Sequence, residues 1–93
     1  MPNVTRVTCV DEMGDPTWKT VIRVNKTRDG HTLKLIRFSG HDRVWYSIHL
    51  SAPDGLFVLG SSILKRYVAE ATHRLISRSS TINPSRWIAL DTH

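Results

Sequence analysis

A change of hydrophobic period at Gly60 constrains this chain more than any other feature. Before it, apolar residues recur at every second position, as in a strand; after it they recur every three to four, as in a helix. A run of strands followed by one helix predicts an α+β domain. At 93 residues the chain is expected to form one domain, 1–93, around one core.

Residues 3–10 read as a first strand and Asp11 to Pro16 as a turn. From Trp18 to Lys26, Trp18, Thr20, Ile22 and Val24 are expected on one side, with Lys19, Val21, Arg23 and Asn25 on the other. Asp29-Gly30 signals a hairpin, because glycine accepts the positive φ that the turn needs. Thr32 to Phe38 is a third strand, in which adjacent Leu35-Ile36 interrupts the alternation and suggests a bulge. After a turn at Ser39 to Asp42 the pattern is clean: Val44, Tyr46, Ile48 and Leu50 face one way, Arg43, Trp45, Ser47 and His49 the other. Pro53-Asp54-Gly55 turns the chain into a short strand, Leu56 to Leu59. Residues 1–59 should thus form an antiparallel meander of four to five strands.

Over 61–78 a long amphipathic helix is predicted, capped by Ser61 or Ser62, with Leu64, Tyr67, Val68, Ala71 and Leu75 on one arc. This arc is expected to pack on the sheet face carrying Ile22, Val24, Tyr46, Ile48 and Leu50. Residues 79–93 should be a loop followed by a terminal strand or apolar tail at Arg86-Trp87-Ile88-Ala89-Leu90.

Hydrophobic residues at 40% and charged residues at 23% are ordinary globular usage, so a folded chain is expected. No run reaches the ~18 apolar residues of a membrane span, and Met1 to Arg6 lacks a signal-peptide core, so no membrane association and a cytoplasmic location are expected. The lone Cys9 allows no internal disulfide and reads as a small strand residue. Thirteen Lys and Arg against eight Asp and Glu give +5, a sign that favours a polyanionic partner.

Position is more informative than the total. Strands 18–26, 32–38 and 43–50 carry Lys19, Arg23, Lys26, Lys34, Arg37 and Arg43 and no acidic residue, whereas the aspartates fall in turns. If the helix covers one face, Arg43, Trp45 and His49 line up on the other, with Lys19 and Arg23 beside them. An aromatic ring among strand-borne cations suits single-stranded nucleic acid: the ring stacks on a base while the cations meet phosphates. The expected nucleic-acid-binding residues are therefore Lys19, Arg23, Lys34, Arg43, Trp45 and His49. Lys65, Arg66, His73 and Arg74, opposed only by Glu70, form a second basic surface on the helix.

In topology, strands followed by Gly55-Leu56-Phe57-Val58-Leu59 and a helix resemble the single-stranded-DNA-binding transcriptional coactivators and their Whirly relatives. Arg43-Val44-Trp45-Tyr46-Ser47-Ile48-His49-Leu50, a turn, Leu59-Gly60 and a helix are similar to the plant ethylene-response-factor DNA-binding domain, whose sheet docks in the major groove. Both resemblances cover about residues 18–76 and imply DNA binding. The acidic, alanine-rich helix pattern of the plant domain is absent, and no family's binding residues are carried over.

Other constellations are weaker. Ser62-Ile63-Leu64-Lys65 matches a Ser-x-x-Lys string, but the companion motifs of that enzyme class are missing. His31, His41 and His49 are irregularly spaced for a metal and lack nearby cysteines. His31 or His49 with Asp29, Asp42 or Asp54 offers an acid–base pair of small-ribonuclease type, an arrangement that chance also supplies. There is no Gly-rich phosphate loop. The sequence is thus read as a non-enzymatic binding module without cofactor or metal. The alternative is a small phage- or plasmid-type interaction or inhibitor protein that docks on an acidic protein surface or a nucleoprotein complex. A small nuclease or toxin is the third reading, and a homodimer is compatible with any of them.

Overall fold

The structure, a computed structural model, describes residues 6–10, 14, 16–53 and 55–79. Its strands are β1 (Arg6–Val10), β2 (Pro16–Lys26), β3 (Thr32–Ser39), β4 (Val44–Ala52) and β5 (Gly55–Ile63). They pair antiparallel in the order β1-β2-β3-β4-β5, so strands adjacent in sequence are adjacent in the sheet. The helix α1 (Arg66–Ser77) lies across β3, β4 and β5. This is the α+β meander with one packed helix that the change of period predicts. Among the described residues no helix is long and apolar enough to cross a membrane.

Thr27 organises the turn between β2 and β3. Its amide donates to the His31 carbonyl at 2.9 Å, and its carbonyl accepts from Gly30 at 3.2 Å. Gly30 has φ +86°, a left-handed conformation that costs glycine little. The next turn is closed by the Gly40 amide, which donates to the Arg43 carbonyl at 2.8 Å.

Residues directly opposite in register share a face of the sheet. On the helix side Leu33 pairs with Leu50, Leu35 with Ile48, and Tyr46 with Ile63. Leu33, Leu35, Tyr46, Ile48, Leu50 and Leu59 join Ala69 and Ile76 of α1 in one buried core, with Ile22, Val44, Phe57 and Ile63 at its margin. Each fully buried Leu or Ile contributes about 1.5–3 kcal/mol relative to exposure.

Three features differ from the sequence reading. A bulge lies in β2, and none at Leu35-Ile36: register with β3 shifts between Val21 and Arg23, leaving Ile22 as the extra residue, and the β4–β5 pairing shifts around Ile48. Leu35 and Ile36 alternate normally and are both buried, one on each side of the sheet. Beyond the bulge the facing of β2 inverts, so Arg23 and Asn25 join the helix side and Val24 leaves it, half exposed.

The last strand is longer, and the helix starts later, than the sequence suggests. Pairing of Tyr46 with Ile63 holds Ser61 and Ser62 in β5, so neither caps α1. Lys65 occupies the N-cap position without a side-chain capping bond.

The helix also presents a different face to the sheet. Ala69, His73 and Ile76 point inward, whereas Tyr67 and Leu75 are 68% and 59% exposed. The physical reason is close approach: Ala69 lets the helix backbone come near the sheet, and His73 Nε2 donates to the Leu33 carbonyl oxygen at 3.4 Å. The loop and terminal strand or tail expected beyond Ser79 lie outside the described residues.

Candidate nucleic-acid interface

Helix α1 occupies one side of the sheet; among the described residues no second layer covers the other, although Thr17, Ile36 and Ser47 on that side are buried. Register arranges that open face in cross-strand rows. Lys19, Phe38 and Trp45 form one row, Val21, Ile36 and Ser47 the next, and Val24, Lys34, His49 and Val58 a third. Lys26 stands beyond them, opposite Thr32 and in line with Ser51. No Asp or Glu occurs in any of the five strands. The cations of this face thus have no carboxylate among the described strand residues to offset them.

Trp45 is partly buried and lies against Gly40, where a Cβ would meet its ring at 3.3 Å. Phe38 stacks on it nearly parallel, with centroids 5.4 Å apart and planes 10° apart. The Arg43 guanidinium carbon lies 4.4 Å from the indole centroid. Phe38 also sits 6.4 Å from the His49 ring, extending the aromatic surface along the face. Beside it, Lys19, Val21, Lys34, Ile36, His49 and Leu56 line a depression of about 140 Å³ with an apolar floor and a cationic rim.

His49 Nε2 shares a hydrogen bond with Ser47 Oγ at 3.0 Å. Burial pushes its pKa below the ordinary 6.5, and the charges of Lys19 and Lys34 push the same way. The shift favours the neutral imidazole.

Of the residues expected from sequence, Lys19, Lys34, Trp45 and His49 come together on this face, and Arg43 reaches it from the adjoining turn. Arg23 does not. It stands on the opposite side, with Nη2 3.8 Å from Glu70 Oε1. Arg37, opposite Thr20 and Tyr46, also lies on the helix side. Phe38 is absent from the sequence-derived set, although the parity of β3 places it with Lys34 once Leu33 and Leu35 are taken as core.

The second basic surface loses a member, because His73 is buried under the helix. Burial lowers its pKa; the Leu33 carbonyl opposes this shift and Arg23 adds to it. Arg66 Nε donates to Glu70 Oε1 at 3.3 Å, so Lys65 and Arg74 are the cations of that set with no ion pair to Glu70.

Among the histidines, His31 and His41 lie in turns at opposite ends of β3, roughly 26 Å of extended strand apart. No group of His, Cys, Asp and Glu suited to a metal ion occurs among the described residues. Asp29 Oδ1 approaches His31 Nδ1 at 2.8 Å, and the Thr27 hydroxyl also bonds Asp29. The Thr27 bond, followed by the His31 bond, lowers the Asp29 pKa. Thr27 Oγ1 also accepts from the His31 amide at 3.0 Å, which makes the cluster a turn-stabilising network. Its hydroxyl donates to the carboxylate and not to the imidazole, so it lacks the bonding order of an activated nucleophile.

Comparison with family models, curated proteins and solved structures finds no match to this chain.

Proposed function

We propose that the domain is a non-enzymatic module that binds single-stranded nucleic acid on the open face of its sheet. The observation that supports this reading is the row Lys19–Phe38–Trp45, with Lys34 and His49 together two rows further along the same face, on strands without a carboxylate. Trp45 and Phe38 provide a stacking surface, and Lys19, Lys26, Lys34 and Arg43 meet phosphates along it.

Arg43 occupies space over the indole that a base needs, so binding exchanges the cation–π interaction for a base stack. At an exposed site a cation–π pair contributes about 0.5–1 kcal/mol. A base stacked on the indole contributes about 1–3 kcal/mol, and the freed guanidinium becomes available to a phosphate. The exchange is favourable by these magnitudes.

The test is an anisotropy titration of the full chain against single-stranded and duplex DNA and RNA of matched length. Single strands are expected to bind more tightly than duplex, with Trp45 fluorescence quenched on binding. Absence of binding to every probe at low salt, where phosphate contacts are strongest, would overturn the reading.

A further inference from the structure

The side of the molecule away from the open sheet face has its own unexplained surface. Tyr67, Val68, Ala71 and Leu75 of α1 follow one another at helical spacing and point away from the core, and Leu64, 63% exposed, stands just ahead of the N-cap Lys65. They form a continuous stripe. The helix therefore turns its larger apolar arc to solvent and rests on the sheet through Ala69, His73 and Ile76. Isolated exposed apolar residues need no explanation, but a stripe along a whole helix marks an interaction surface.

The charges beside the stripe say what fits it. Lys65 stands at the N-terminal end of the stripe, its Nζ 6.0 Å from the Tyr67 ring centroid, Arg74 flanks it beside Tyr67, and Arg78 closes its C-terminal end. Glu70, the acid of α1, stands at the inner edge near Arg66 and Arg23, away from the stripe. A second copy of this chain fits poorly. Antiparallel pairing sets Lys65 of one helix near Arg74 and Arg78 of the other, and parallel pairing sets each cation beside its own counterpart.

We infer that the outer stripe of α1 docks an amphipathic helix of another protein, apolar on the docking face and acidic where it meets Lys65, Arg74 and Arg78. The partner's apolar residues interdigitate with Leu64, Tyr67, Val68 and Leu75, and its carboxylates pair with Lys65, Arg74 and Arg78. The acidic residues supply selectivity and encounter rate, and the apolar seam supplies most of the affinity.

The experiment titrates the full chain with two synthetic amphipathic peptides of about 15 residues, near the shortest length at which isolated helices persist in water. Both carry the same leucine stripe; one has Glu on its flanks and the other Lys. The Glu peptide is expected to bind at least about tenfold more tightly, a difference of about 1.4 kcal/mol. The triple variant Leu64→Ser, Tyr67→Ser, Leu75→Ser should lose that binding with an unchanged melting temperature.

Equal affinity for the two peptides, or unaltered binding by the triple variant, overturns the proposal. A concentration-dependent dimer of the wild-type chain that the triple variant abolishes would assign the stripe to a second copy. A marked fall in melting temperature would assign it to residues 80–93 of the same chain. Either outcome also overturns the proposal, and neither bears on nucleic-acid binding by the opposite face.

Discussion

Phe38 and Trp45, directly opposite each other on β3 and β4, stack with their planes 10° apart and so form one continuous aromatic surface on the open face. Neither ring belongs to the hydrophobic core under α1, but both are partly buried, so a thermal melt of each variant accompanies the titration. Trp45→Ala should weaken single-stranded nucleic-acid binding by roughly 5- to 150-fold, the equivalent of about 1–3 kcal/mol. The slope of log affinity against log salt should hardly change, because the same cations still meet phosphate. Parallel titrations of both proteins over a salt series check both points.

The salt slope itself counts the cations that meet phosphate. With Lys19, Lys26, Lys34 and Arg43 engaged, it should be roughly −3 for a single strand, and Lys34→Ala should reduce its magnitude by roughly 0.7. Arg23→Ala should leave the slope unaltered, since Arg23 lies on the helix side beside Glu70. Its effect on stability should also be small, within about 1 kcal/mol for a solvent-exposed pair. If Arg23→Ala and Lys34→Ala change the slope equally, the assignment of faces to β2 is wrong.

His73 should make stability depend on pH. Its folded pKa lies below the ordinary 6.5, so between these two values the unfolded chain binds a proton that the folded chain does not. Stability is then highest above 6.5, declines as pH falls through that value, and levels off below the folded pKa. His49 contributes with the same sign, because its pKa is also lowered. Thermal melts from pH 8 to 5 should show the decline, and His73→Gln should flatten it in part.

Binding should respond to pH in the opposite direction. A nucleic-acid phosphate near His49 favours the imidazolium that Lys19 and Lys34 otherwise disfavour, so affinity should rise as pH drops below 6.5. His49→Gln should remove that rise. Affinity that falls on acidification in the folded wild type would place His49 outside the interface.

The two arcs of α1 give contrasting mutants. Ile76→Ala, at a fully buried position, should cost about 2–5 kcal/mol. Val68→Ala on the outer stripe should stay within about 0.5 kcal/mol. Equal destabilisation, measured by denaturant midpoints with matched slopes, would mean that Val68 packs on the sheet.

The strands of the meander are legible in the sequence because period-two alternation and a turn such as Asp29-Gly30 are local properties. Trp45, His49 and Lys19 could therefore be placed on a common face, whereas Lys34 entered the set by its charge, because adjacent Leu35-Ile36 left the facing of the third strand open. Arg23 could not, because the bulge at Ile22 is set by register with β3 and not by any residue within β2. The helix was legible as a helix, but it carries two arcs. Leu64, Tyr67, Val68, Ala71 and Leu75 make the more apolar one, yet close approach at Ala69 and the Leu33 carbonyl partner of His73 select the other. Tertiary packing decided between the two arcs where hydrophobicity pointed to the wrong one.

The extra residue at Ile22 also governs how this chain must be aligned with any relative. It splits β2 into two half-strands that are out of phase, so the same string of residue types addresses opposite sides of the molecule before and after it. A relative lacking that residue would keep nearly the same composition yet exchange the destinations of Arg23 and Val24. A one-position gap at this point is therefore a topographic change, equivalent to moving a charge from one surface of the domain to the other without altering any side chain.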